Sequence, residues 1–404
     1  VDKKSLPKLE QIAGPIVNLR SEVIPKTFII LSMDELIVIG ASVRALAFSA
    51  IRAGYKPYAV DLFADRDLAA ACPAAKIGRY PQDFEAALSA APQAPWMYAG
   101  ALENYPELIE QLAKIRPLIG NGADVVRRVR DVAQLGEAAK AAGCLVPEVR
   151  DSAAEGKWLV KPWRSSGGLG VRLAAQEEMR EAPRGSYLQR YVEGEALSAV
   201  FLAAGGKAVL VGVTKQLMGR DFGLASEFLY VGNVGPITLG GDQIARLKKL
   251  GEALAAEFKL KGLFNVDFVF DGNDFWLLEV NPRYSASVEV LERGREVQAV
   301  GLHVAACGGG TVKWLARNNP DCFGKAVVYA ERDCRVMPVL EMVAGELNDP
   351  RAWPAMADLP RTGEEICAGQ PVVTVFAGGE GKSIEEVDGE LRQRVKTAKQ
   401  MVGC

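Results

Sequence analysis

Histidine is almost missing from this chain: His303 is the only one in 404 residues. Mechanisms built on a Ser-His or Cys-His pair therefore have a single candidate base, and no nucleophile motif points toward it, so His303 reads as structural. Cysteine is present but unorganised. The seven cysteines, at 72, 144, 307, 322, 334, 367 and 404, form no close Cys-x-x-Cys pair. That spacing argues against structural zinc, and the odd count argues against a disulfide framework. An excess of one charge sign is also lacking. The net charge of −2, with both signs interspersed, supplies no basic field for nucleic acid or an anionic membrane. No uninterrupted apolar run is long enough for a membrane span, because Arg44 and Arg52 break the most apolar early stretch, 36–53. The opening Val-Asp-Lys-Lys lacks the charged-then-apolar order of a signal sequence. A soluble, cytoplasmic protein without repeats or low-complexity segments is expected.

The length predicts two or three domains. Residues 1–33 carry little pattern. Beyond them, 36–39 reads as a strand, 43–53 as a helix and 57–60 as a second strand, a βαβ unit of a parallel sheet. Asp61 follows the second strand as an acid does in dinucleotide folds, but Gly40-Ala41-Ser42-Val43-Arg44-Ala45 holds only the first glycine of that fingerprint. This argues against NAD. A strand at 96–98 and a helix at 105–115 continue the pattern. The stretch 124–142 reads as one helix with Arg127, Arg128 and Arg130 near its start.

Lys161 lies on a short strand, 157–161, directly before Trp163-Arg164-Ser165-Ser166-Gly167-Gly168-Leu169-Gly170. Glycines let backbone N–H groups approach phosphate oxygens, and a lysine places a point charge on them. No Gly-Lys-Ser/Thr closes the loop, so it is not a Walker loop, and an ordinary hairpin connection is the alternative. Strands follow at 187–192, 195–202 and 208–217, the last carrying Lys215. The segment 219–236, with Arg220, Glu227, Tyr230 and Asn233, is a candidate for substrate selection or a plain surface loop.

The chain is organised around 262–283, which reads as a β-hairpin reversing at Asp271-Gly272-Asn273-Asp274. Alternation puts Phe264, Val266, Phe268 and Phe270 on one face and Asn265 and Asp267 on the other. On the second strand it groups Trp276, Leu278 and Val280 against Glu279 and Asn281. If the polar faces coincide, Asp267, Glu279 and Asn281 converge as hard oxygen ligands suited to Mg²⁺, which takes one or two carboxylates and completes its shell with water and phosphates. A solvated hairpin face is the alternative. A helix over 288–305, a strand at 325–330, a Pro- and Gly-rich β region with a strand at 371–376, and a helix over 384–401 complete the expectation.

The order of these features resembles the ATP-grasp superfamily from about residue 35 to 300. It is carried by Leu159-Val160-Lys161-Pro162, the serine-glycine loop, Gln189-Arg190-Tyr191-Val192-Glu193-Gly194-Glu195, Lys215, and the acid hairpin ending Glu279-Val280-Asn281-Pro282-Arg283. The strand at 325–330 and the stretch 358–376 are similar to a subgroup of predicted ATP-dependent carboligases related to biotin carboxylase. The resemblance implies an α/β and α+β ATP-grasp fold. It divides the chain into an N-terminal Rossmann-like βαβ domain (1–120), an ATP-grasp domain (121–310) with a lid at about 155–225, and a small β-rich C-terminal region (311–404). It implies ATP and Mg²⁺ as cofactors, with Mn²⁺ as a substitute. Lys161 would contact the α- and β-phosphates, and Ser165, Ser166, Gly167, Gly168 and Gly170 would cover the triphosphate. Gln189, Tyr191 and Val192 would line the adenine, and Glu195 would hold the ribose. Asp267, Glu279 and Asn281 would hold one or two metal ions. Arg283 would stabilise a carboxylate substrate and its phosphorylated form, and Lys215 would neutralise the transferred phosphate. The second phosphate lysine of the family is absent, and Arg130 would replace it. The implied activity is a Mg-dependent, ADP-forming carboxylate-amine ligase acting on small molecules, with a homodimer compatible. The alternatives are a biotin-carboxylase-like carboxylase using bicarbonate and a non-catalytic ATP-binding regulatory protein.

Overall fold

The computed structural model describes residues 34–309, 320–338 and 349–402. The early segment 1–33 lies outside them, as does most of 308–321, a stretch that reads from sequence as a loop or a short helix. Four parallel strands come first, β1 (Glu35–Ile39), β2 (Lys56–Asp61), β3 (Ala74–Lys76) and β4 (Trp96–Tyr98), in the order β3-β2-β1-β4. With them go α1 (Arg44–Arg52), α2 (Arg66–Ala71), α3 (Phe84–Ala90) and α4 (Pro106–Ile115). This is the expected βαβ layer, and Asp61, the acid after its second strand, is bound to backbone amides. Its Oδ2 accepts from Val43 N (2.6 Å), and its Oδ1 accepts from Phe63 N and Ala64 N (both 2.7 Å). The carboxylate thus ties the start of α1 to the turn that follows β2.

The expected helix over 124–142 is two helices, α5 (Ala123–Val129) and α6 (Val132–Ala141). Asp131 divides them by accepting from Ala133 N and Gln134 N (3.0 Å each) as the cap of α6. A small antiparallel sheet follows, made of β5 (Val149–Arg150), β6 (Trp158–Pro162), β7 (Arg172–Leu173) and β8 (Ser186–Arg190), in the order β5-β8-β6-β7.

The large sheet is antiparallel throughout. It contains β9 (Glu195–Ala204), β10 (Lys207–Met218), β11 (Tyr230–Gly235), β12 (Gly262–Phe270), β13 (Phe275–Asn281) and β14 (Cys322–Tyr329). After a two-stranded ribbon of β15 (Cys334–Arg335) and β17 (Glu365–Ile366), it is completed by β16 (Met356–Ala357) and β18 (Pro371–Gly379). The order is β13-β12-β9-β10-β11-β14-β18-β16. Of the C-terminal strands, β14, β18 and β16 therefore extend the central sheet, and only β15 and β17 stand apart from it.

Helices α7 (Gly241–Phe258), α8 (Ala286–Arg295), α9 (Ala299–Cys307) and α10 (Ile384–Val402) cover this sheet. Again one expected helix, 288–305, is two: Glu296 adopts a left-handed φ of 54° and ends α8. On β9, Leu197, Ala199 and Phe201 pack toward Leu247, Leu250, Leu254 and Phe258 of α7. Val200 and Leu202 face the other way, toward α8, α9 and α1, which fill the space between the two main sheets. Each such buried Leu or Phe contributes about 1.5–3 kcal/mol of burial free energy. Several charged groups of this layer are paired. Arg44 of α1, only 2% exposed, donates to Glu289 of α8 and to Asp358 Oδ1 (2.9 Å), and Lys325 Nζ donates to Glu289 Oε2 (2.8 Å). Cys334 is disulfide-bonded, whereas Cys72, Cys144, Cys307, Cys322 and Cys367 are free thiols.

His303 is structural. Its Nδ1 accepts from Leu263 N (2.9 Å) and its Nε2 lies 3.1 Å from Ile119 O, the pattern of a neutral ring protonated on Nε2. Burial, opposed by the Ile119 bond, lowers its pKa to about 4.

Candidate active site

The hairpin of β12 and β13 pairs Asp267 with Glu279 and Asn265 with Asn281 across the ladder, so directly opposed side chains share a face. The expected convergence is present: Asn281 Nδ2 donates to Asp267 Oδ2 (2.9 Å) and to Glu279 Oε1 (3.1 Å). The alternation of the second strand departs from expectation. A bulge pairs Phe268 with Leu277 while Asp267 pairs with Glu279, leaving Leu278 as the extra residue. Phe275, Leu277 and Val280 enter the core, and Leu278 lines the cavity.

Around this pair lies a cavity of about 600 Å³, within the size range of small-molecule sites. It lies between the small sheet and the large one and is also lined by the turns that follow β1 and β4. Lys161, Gln189, Tyr191, Val192, Arg130 and Arg283 all line it, as do Ser165, Ser166, Gly167 and Gly168. Lys161 Nζ donates to Gln189 Oε1 (3.1 Å). Arg130 reaches Asn104 Oδ1 (2.9 Å) and Trp163 O (2.8 Å), whereas Arg127 and Arg128 pair with Glu110 and Glu257 away from it.

The serine-glycine loop is docked over the opening. Asn104 Nδ2 donates to Ser165 O (3.0 Å) and Tyr230 N donates to Gly167 O (2.8 Å). Gly168 holds a φ of 74°, and a Cβ there would lie 1.9 Å from Phe228 O, so this turn requires glycine. Gly170 supports the turn from outside the cavity lining, against Pro162.

Two expected residues are not brought to the cavity. Thr214 pairs with Ser198, and Lys215 pairs with Leu197, so Lys215 shares the core-directed face while Gln216 and Ser198 face the cavity. Glu195 shares the face of Leu197, and Ala196 occupies the lining position instead. Glu195 and Lys215 pair with each other at 3.5 Å. Neither lines the cavity as a ribose or phosphate contact would. Within 219–236, Arg220 and Tyr230 line the cavity, and Asn233 instead donates to Thr214 Oγ1 (2.9 Å).

Several further residues shape the site. Asp267 Oδ1 accepts from Ser198, from Gln216 Nε2 (2.8 Å) and from Asn265 Nδ2 (2.7 Å). Asn121, fully buried, donates to Lys261 O (2.9 Å) and Pro282 O (3.0 Å), tying down both ends of the hairpin. Glu103 pairs with Arg283 (2.5 Å). Ser285, at the start of α8, lines the cavity with a buried hydroxyl that has no partner among the described residues.

Burial, and then the charge of Glu279, raises the pKa of Asp267 to about 7. For Glu279, enclosure works in the same direction, but Lys161, the Asn281 hydrogen bond and Arg130 outweigh it and hold the carboxyl below its ordinary value. Among the described residues no three His, Cys, Asp or Glu side chains are grouped to hold a metal alone. Two carboxylates, with Asn265 Oδ1 buried and unpartnered beside them, suit a cation that shares its shell with phosphates. Asn281 Oδ1 faces Arg283 Nη2 (2.9 Å), so ligation through this oxygen requires the amide to turn over.

A carboxylate-bearing antiparallel sheet, facing a smaller sheet that carries a lysine and a glycine loop, defines an ATP-grasp fold. The comparisons agree. Residues 109–287 match the ATP-grasp domain family. It is 26% identical over 168 residues to the carbamoyl phosphate synthase large chain of Clostridium acetobutylicum, covering 39% of this chain and 15% of the synthase. The chain thus spans a small part of such relatives. The biotin carboxylase domain of Hydrogenobacter thermophilus 2-oxoglutarate carboxylase, solved with MgADP, ADP and bicarbonate, shares the fold (TM-score 0.65, 16% identity, 92% of this chain, 95% of that one). So does the L-amino acid ligase of Bacillus licheniformis (TM-score 0.65, 14% identity, 90% of this chain, 97% of that one). No helix among the described residues is long and apolar enough to cross a membrane.

Proposed function

We propose that this chain is a Mg-dependent, ADP-forming ligase that activates an organic carboxylate as an acyl phosphate for attack by an amine. One observation carries the reading. Arg283 lies between the acid hairpin and the start of α8, touching Asn281, and is followed by Ser285, whose hydroxyl is unpartnered in the cavity wall. A guanidinium, a free hydroxyl and a helix N-terminus make a cradle for an anion beside the metal-type carboxylates.

MgATP, when bound, supplies the phosphoryl group and offsets its charge. The residues of the chain do the positioning, which is most of what phosphoryl transfer requires. Asp267 and Glu279, with Asn265 or Asn281, would hold the cation. Lys161 and Arg130 neutralise the phosphates, and the docked loop 165–168 excludes water. Leu159, Tyr191, Val192 and Leu278 enclose the base. Arg283 orients the acceptor carboxylate. In the second step the amine forms the C–N bond, the C–O bond to phosphate breaks and the electron pair leaves on inorganic phosphate; of the two protons the ammonium nitrogen loses, one goes to that phosphate and one to solvent.

Bicarbonate is the rival acceptor, as in the carboxylase neighbour's structure. The cavity continues past Arg283 to Ser42, Arg44, Ser287, Lys325, Asp358 and Thr374, more polar wall than bicarbonate needs, and this favours a larger carboxylate. Two measurements test the reading: calorimetric MgATP binding by the wild type and Lys161→Ala, and ADP release with carboxylate and amine panels against bicarbonate alone. Binding lost in the variant and ADP release that needs both organic partners are expected. Bicarbonate-dependent ADP release without an amine would replace the reading with the carboxylase one. No MgATP binding by folded wild type would reject both.

A further inference from the structure

Glu103 sits on the turn after β4, entered through Ala101 in a left-handed conformation (φ 77°). It lines the cavity and is only 3% exposed. One of its oxygens is fully engaged: Oε1 accepts from Arg283 Nη2 (2.5 Å) and Arg283 Nε (3.2 Å). The other, Oε2, is buried without a hydrogen-bond partner among the described residues. A carboxylate oxygen removed from water and given no donor is costly. In a cavity wall the cost is relieved when a ligand brings the donor.

The position narrows what that donor is. Arg283 uses Nη2 for both Glu103 Oε1 and Asn281 Oδ1, so a single guanidinium stands between Glu103 and the metal-type hairpin. An anion held by Arg283 and Ser285 would therefore have Glu103 as a neighbour. A second anion at Oε2 would be repelled, whereas an N–H donor, above all a cationic one, completes the bonding. We infer that Glu103 Oε2 binds the amine substrate, setting its nitrogen against the carboxylate held at Arg283.

This rests on the ligase reading above and deepens it. One local rival exists. The Tyr80 hydroxyl is also buried and unpartnered, and the charge of Glu103 acts on it, so a water between them could serve Oε2 instead.

The test is steady-state ADP release by wild type, Glu103→Gln and Tyr80→Phe. Amino acids and small dicarboxylates serve as carboxylates, and methylamine, ammonium and amino acids as amines. Hydroxylamine, uncharged at neutral pH, is the comparison nucleophile. Glutamine keeps an oxygen for Arg283 and turns the free acceptor into a donor. The KM for the cationic amine is expected to rise about 10- to 100-fold in Glu103→Gln. The rise for hydroxylamine should be much smaller, the calorimetric Kd for MgATP should hold, and Tyr80→Phe should behave as wild type. Equal losses for both nucleophiles, an unchanged amine KM, or a Tyr80→Phe variant that copies Glu103→Gln would overturn the assignment. Absence of ADP release by wild type even with hydroxylamine would instead remove the ligase reading, and this inference with it.

Discussion

His303 makes acid stability a readable quantity, because no other histidine titrates in the chain. Its pKa falls from 6.5 to about 4 in the folded protein, through burial opposed by the Ile119 bond. Above 6.5 both states carry a neutral ring and the folded state keeps its full stability. Between 6.5 and about 4 the unfolded chain takes up a proton that the folded one refuses, so stability is lost as pH falls. Below that interval the loss levels off. At about 1.4 kcal/mol per pH unit it amounts to about 3 kcal/mol.

Asp61 acts oppositely in the same interval. Burial raises its pKa to about 6 against the pull of the Ala64, Val43 and Phe63 amides, so protonating it on acidification favours the folded state. The raw pH profile therefore mixes both signs, and a difference experiment isolates the histidine. His303→Gln offers an oxygen to Leu263 N and a donor to Ile119 O without the titration. Urea unfolding of both proteins between pH 7.5 and about 4 should show wild type losing about 3 kcal/mol relative to the variant. Parallel profiles would refute the argument and mean that the ring is charged or hydrated in place.

Three further outcomes are expected. Glu279→Gln and Asp267→Asn should each reduce Mg-dependent ATP turnover by more than about 100-fold with an unchanged circular dichroism spectrum; full activity in a folded variant would remove the metal assignment. Gly168→Ala forces a Cβ to 1.9 Å from Phe228 O and should undock the loop, raising the KM for ATP about 10-fold and exposing the loop to protease; wild-type kinetics would show that the loop does not close over nucleotide. Arg44→Met leaves Glu289 and Asp358 without their shared cation and should cost about 3–5 kcal/mol, measured by urea titration, and a loss under 1 kcal/mol would show that Lys325 alone suffices.

The hairpin was legible because its turn residues and alternating strands act locally, and the acids it displays meet as their spacing implies. The bulge at Leu278 was not, since a run of apolar residues does not mark which one is left unpaired. Glu195 and Ala196 show the same limit. Which of them faces the cavity is set by pairing of β9 with β12 and β10, and Glu-Ala-Leu-Ser-Ala has no clear two-residue period. Lys215 follows its partner Leu197 for the same reason. Helix α7 carries a local signal too, because Leu247, Leu250, Leu254 and Phe258 recur at helical spacing. Asp131 could have divided α5 from α6 by its capping chemistry. Glu103 gave no local signal, because its meaning depends on an arginine 180 residues away. The C-terminal strands looked independent for a similar reason: a strand does not announce the sheet it will join.

The continuity of the large sheet into β14 and β18 bears on how the protein comes to be folded. The cavity takes walls from Ala41 to Thr374, and Arg44 is joined to partners 245 and 314 residues away. Contacts of such separation are reached late and slowly. A growing chain can close the hairpin and the small sheet long before β18 has been synthesised, so the acid pair exists before the far wall does. During synthesis at about 5–20 residues per second, the hundred or so residues between them correspond to about 5–20 seconds in which a nucleotide-sized cleft stands open to solvent.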